Sequence, residues 1–171
     1  IILDVLLSVS LYALFHSAGK STAWLMVSLR LVYVAVKGFA IVGLFLARDL
    51  YSVPVETDAG QAGVYAAQAM QFLKMHHYGF AVGLIFFGLH LIFLALLLLK
   101  VNGIPKLFAW MLLSAGVGYG MNSLVSLFAP DFALLKITVI AVFIIPMTFS
   151  ELSFGVWLWV RHRSAAPPLT A

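Results

Sequence analysis

Six polar side chains sit inside otherwise apolar runs, and their spacing sorts them by depth. Arg30 follows Lys20 by ten residues, His90 precedes Lys100 by ten, and Glu151 precedes Arg161 by ten. If those outer cations mark a membrane surface, a rise of 1.5 Å per residue puts Arg30, His90 and Glu151 roughly 15 Å deep. Asp4 lies sixteen residues before Lys20, Lys37 seventeen after it, and Asn122 sixteen after Lys106. The same rise sets these three in a second layer roughly 25 Å from that surface. A lone charge at mid-bilayer costs about 2.5–3.5 kcal/mol on insertion scales, so two cations and two carboxylates at such depths are expected to pair. The expected pairs are Arg30 with Glu151 and Lys37 with Asp4. Arg30 and Lys37, seven residues apart, point the same way on a helix. Two kinds of chemistry follow: pairs that only fix helix register, or a polar cavity or ion path in which His90 titrates.

These residues presuppose spanning helices, and the composition demands them. The chain has 171 residues, 64% of them hydrophobic and 9% charged, with a mean hydropathy of +1.10. A soluble domain is about one quarter charged. Because a span takes about 20 apolar residues, the chain holds five spans and no separate catalytic domain. Hydropathy and punctuation place them at 1–17, 23–47, 75–99, 107–128 and 137–160, within one transmembrane domain, 1–163, followed by a polar tail, 164–171. This predicts an all-α polytopic bundle. The first segment opens inside an apolar run without a methionine, and is read as a truncated span.

The long connection holds Pro54, then Asp58 three residues before Gln61, a capping-box pattern that predicts a helix start. That helix either lies in the interface or extends the third span outward, since Gln61, Gln68 and Gln71 are too polar for hydrocarbon. Gly79 with Gly83, and Gly116 with Gly120, form two GxxxG seams expected to let helices approach closely. Ser114, Gly118, Asn122 and Ser126 step every four residues along one face of the fourth span. Pro146 predicts a kink five residues before Glu151.

His76 and His90 stand fourteen residues apart on one span, about 40° from alignment. That spacing suits two stacked haems only if another span supplies partner histidines, and the others are His16, His77 and His162. No cofactor is therefore expected, and haem at His76 or His90 is disfavoured. Zero cysteines exclude disulfides and thiolate sites. With no GxSxG, phosphate-binding loop, HExxH or tight acidic cluster, no catalytic or metal residue is assigned.

The net charge of +4 is scattered along the chain, which argues against nucleic acid as a partner. Lys20, Lys100, Lys106, Arg161 and Arg163 fall on one side with no acidic residue. Arg48, Lys74 and Lys136 fall on the other with Asp49, Glu56, Asp58 and Asp131. The positive-inside rule then predicts a cytoplasmic C-terminus.

The runs His76-His77-Tyr78-Gly79-Phe80 and Gly83-Leu84-Ile85-Phe86-Phe87-Gly88-Leu89-His90 resemble a bacterial integral-membrane family of unknown function, DUF4386. Ile104-Pro105, the Ala115-Gly116-Val117-Gly118-Tyr119 segment with Asn122-Ser123, and Glu151-Leu152 with Trp157-Leu158 extend the similarity, as do Asp4 and Arg30-Leu31. Asn122 stands where many relatives carry an aspartate, and a glutamate is common near Tyr33, so a charge relay in the family would be altered here. The resemblance implies six spans, hence one helix before Ile1, and implies no activity.

Two functions are expected from these features. The first is a non-catalytic accessory or structural subunit of a larger assembly in a bacterial inner membrane, bound to a protein partner or to copies of itself within the bilayer. The alternative is a small transporter or ligand- or lipid-binding bundle built on the polar layer.

Overall fold

The computed structural model describes residues 1–52 and 59–163. The Asp58 half of the capping box, Pro54, Glu56 and the tail 164–171 lie outside the described residues. Five helices follow one another: α1 (Ile2–Phe15), α2 (Lys20–Tyr51), α3 (Ala59–Lys100), α4 (Lys106–Phe128) and α5 (Ala133–Arg163). The fold is an all-α bundle. Among the described residues four helices, α2 to α5, are long and apolar enough to cross a membrane. α1, which continues through a 3₁₀ turn at His16–Ala18, is a shorter apolar helix.

Each helix packs mainly on its neighbours in sequence, with the widest seam between α2 and α3 and progressively narrower ones at α3–α4, α4–α5 and α1–α2. α3 is the central element. Half of its most apolar stretch is buried, against 11% for α5 at the margin. Leu91, Leu94, Leu97 and Leu98 of α3 meet Phe15, Met26 and Leu112 in the core.

At 1.5 Å per residue the 42 residues of α3 run about 63 Å, twice the roughly 30 Å hydrocarbon thickness. The polar stretch before Met75 is thus an unbroken outward extension of the span.

The α3–α4 turn shows how single residues set the geometry. Gly103 adopts φ +80°, a left-handed conformation that glycine enters without a Cβ penalty. Pro105 then precedes α4. The Lys106 ammonium turns back to donate to the carbonyls of Leu98, Leu99 and Val101 at 3.3, 2.6 and 3.0 Å. Leu98 and Leu99 lie in the last turn of α3 and Val101 just past it, where intrahelical donors run out and a cation is favoured. α5 runs as a helix through Pro146.

Glycines make the seams. Gly88 of α3 and Gly116 of α4 face each other so closely that a Cβ on either would stand 2.6 Å from the other's carbonyl oxygen. Gly79 and Gly83 face α2, at Ala40 and Tyr33, and Gly118 faces Phe143 of α5. A Cβ on Gly120 would meet nothing within 4 Å, so of that GxxxG only Gly116 excludes a side chain.

Candidate functional site

Four helices converge on one guanidinium. Arg30, one turn beyond Met26 on the buried face of α2, is 3% exposed. Its Nη1 donates to Oε1 of Glu151 on α5 at 2.6 Å and to Nε2 of His90 on α3 at 3.0 Å. Nη2 donates to Oδ1 of Asp4 on α1 at 2.8 Å. The Lys37 ammonium reaches the other oxygen of Asp4 at 3.3 Å. Both pairs anticipated from depth, Arg30 with Glu151 and Lys37 with Asp4, are in contact, and Arg30 adds a third between them.

That third contact joins what depth counting separates into two layers. A count along the helix axis treats each residue as a point, whereas the guanidinium forks and spans the difference. The side chains of the network, two carboxylates and two cations, sum to zero charge. Aromatic rings close the cationic faces: Phe87 lies 5.5 Å from the Arg30 Cζ and Tyr33 lies 5.3 Å from the Lys37 Nζ.

His90 is fully buried, and its partners define its tautomer. Nδ1 lies 2.9 Å from the Met26 carbonyl, which only accepts, so Nδ1 carries the proton. Nε2 faces the Arg30 Nη1, which only donates, so Nε2 offers its lone pair. The imidazole in this arrangement is neutral. Its expected role as the titrating member of an ion path does not fit these contacts, because a second ring proton would confront a guanidinium donor. A haem iron at Nε2 would have to displace Arg30.

His76 repeats the device fourteen residues away, its Nδ1 donating to the carbonyl of Ala40 at 3.0 Å. Ala40 and Met26 are also fourteen apart, running the opposite way along α2. The histidine spacing that suits stacked haems therefore fastens two antiparallel helices at two heights.

Asn122 does not join the network. Its Oδ1 is buried without a hydrogen-bond partner among the described residues. α4 reaches the site instead through Tyr119, whose ring stands edge-on to Phe87 at 5.1 Å and whose hydroxyl donates to the Met147 carbonyl at 2.9 Å. Phe87, Tyr33 and the Met26 carbonyl escape a reading of charged residues, since an aromatic in an apolar helix carries no mark of what it covers.

One side of the site is open. The Glu151 side chain is 33% exposed, against 4% for that of Arg30. A cleft of about 90 Å³ beside it lies between Leu7 and Leu11 of α1 and Phe154 and Leu158 of α5, with Leu94 of α3 also lining it.

The family described as a domain of unknown function (DUF4386) matches residues 1–161. The chain belongs to this family. All residues of the Arg30 network lie within the DUF4386 match. A protein of Archaeoglobus fulgidus described as uncharacterized is 28% identical over 164 residues, covering 95% of this chain and 79% of that protein. No solved structure matches.

Proposed function

We propose that this DUF4386 chain is a non-catalytic component of a larger membrane assembly, and that the Arg30 network holds its helices in one arrangement. The observation that carries the reading is that the charges of the network are spent on one another, since each carboxylate and each cation is ion-paired around the buried Arg30. His90 adds to this, being engaged at both ring nitrogens. The sparsely covered α5 offers the flank on which another chain would seat.

In this proposal the positive end is cytoplasmic, in a bacterial inner membrane. Two contacts gather that end. Arg161 donates to the Gly103 carbonyl at 2.7 Å, and the Lys100 Nζ lies 3.7 Å from where a Gly19 Cβ would stand.

Native mass spectrometry of the chain extracted gently from its own membrane tests the assembly. The expected result is a hetero-assembly of fixed stoichiometry. A chain found alone or bound only to itself would overturn the proposal.

A second reading, a ligand-binding bundle, is favoured by one observation: the partly exposed Glu151 carboxylate at the edge of an apolar cleft.

A further inference from the structure

We propose that the cleft between α1 and α5 binds a single-chain lipid alcohol, whose hydroxyl donates to the free oxygen of Glu151 and whose first methylenes fill the space beyond. This deepens the second reading above and rests on it. Glu151 gives Oε1 to Arg30, while Oε2 has no hydrogen-bond partner among the described residues. An acceptor left open at this depth needs a donor, because hydrocarbon supplies none.

Charge selects the headgroup. The network is already neutral, so an ammonium would add an uncompensated cation within the bilayer, and a carboxylate or phosphate would meet Glu151 as a like charge. A hydroxyl donates without altering the sum. Depth narrows the choice further. Glu151 lies roughly 15 Å below the plane of Arg161 by helical rise, out of reach of a zwitterionic phospholipid headgroup that must stay hydrated. A neutral alcohol can enter hydrocarbon, and it gains by finding an acceptor there.

Size selects the tail. About 90 Å³ falls short of the roughly 150 Å³ of an engineered apolar cavity that takes benzene. The cleft therefore suits the start of an unbranched chain, with the remainder lying along the exposed flank of α5. Its walls are aliphatic or aromatic, from Leu7, Leu11, Leu94, Phe154 and Leu158, and Glu151 is the polar side chain among them.

The test uses the full chain in phospholipid nanodiscs and a hexadecan-1-ol carrying a photoreactive diazirine close to its hydroxyl. Peptide mass spectrometry should map the label to α1 around Leu7 and Leu11 and to α5 around Phe154. Excess hexadecan-1-ol should reduce the labelling at least tenfold, whereas hexadecane, hexadecylamine and palmitate should not. Glu151→Leu removes the acceptor but also breaks the ion pair, so a second variant is needed. Gly155 lines the cleft, and a Cβ there meets nothing within 4 Å. Gly155→Leu should thus fill the cleft, lower labelling at least tenfold and not lower the thermal midpoint, since it replaces a glycine within a helix.

Labelling indifferent to Gly155→Leu and to competing alcohol would overturn the proposal. If hexadecylamine or palmitate competes and hexadecan-1-ol does not, the headgroup assignment falls while the ligand-binding reading stands. If diazirine analogues of all three amphiphiles leave the cleft unlabelled, that reading falls as well.

Discussion

Removing Arg30 strands the Glu151 carboxylate and leaves Asp4 to Lys37 alone, which is a harsher change than losing a pair as a unit. Arg30→Met is expected to destabilise the bundle by about 3–5 kcal/mol, the range for breaking a buried ion pair from one side. Arg30→Met combined with Glu151→Leu should recover most of that loss, because Asp4 keeps Lys37. Unfolding by steric trapping in bicelles reads both. A double variant as unstable as the single one would show that the ion pair is not what holds α5. His90 offers a spectroscopic check. Nitrogen NMR at pH 7 should show a protonated Nδ1 and a bare Nε2, as its two partners demand. The meeting of Arg30, His90 and Glu151 was legible, since helical rise is constant and each lies ten residues from a cation. Direction around the helix was legible only within one helix. Asn122 stands as many residues from its outer cation as Asp4 does, but nothing in that spacing reveals that α4 reaches the site through Tyr119 instead.

Helix seams depend on which glycine meets which neighbour, and a motif does not carry that information. Gly88→Ala is expected to cost about 1–3 kcal/mol, because the added methyl would stand 2.6 Å from a carbonyl on α4. Gly120→Ala, whose methyl has open space, should change stability by less than about 0.5 kcal/mol. The two substitutions are chemically identical, so comparing them in the same unfolding assay isolates the seam. The GxxxG pattern singles out Gly79 and Gly83, which do face α2, and Gly116, but it overlooks Gly88, the partner of Gly116 across the seam, which falls outside any such spacing. The outward extension of α3 was foreseen as one of two options. Continuity settles it: no glycine or proline interrupts the sequence between Gly63 and Met75, and the helix does not break there.

Molecular topology can be tested directly because the chain contains no cysteine, so a single introduced thiol reports one position. Asn102 and Asp131 are both exposed, in the α3–α4 and α4–α5 connections. Under the proposed orientation Asn102→Cys should react with a membrane-impermeant maleimide only in inverted vesicles, and Asp131→Cys only in intact cells or right-side-out vesicles. The reverse pattern would invert the assignment, and labelling of both from one side would break the alternation of spans. Composition alone sufficed for the helical class, because 9% charge in 171 residues leaves no room for a solvated fold. It did not predict how unequal the helices are. α3 extends past its apolar part from Met75 back to Ala59, an arm of about 24 Å at 1.5 Å per residue. The arm is not loose: Ala69 on it is buried, and the Phe72 carbonyl lies 2.8 Å from where a Gly43 Cβ would stand on α2. A partner that grips its tip would therefore take hold of α2 and α3 together, the two helices whose Arg30 and His90 meet at the centre of the charge network.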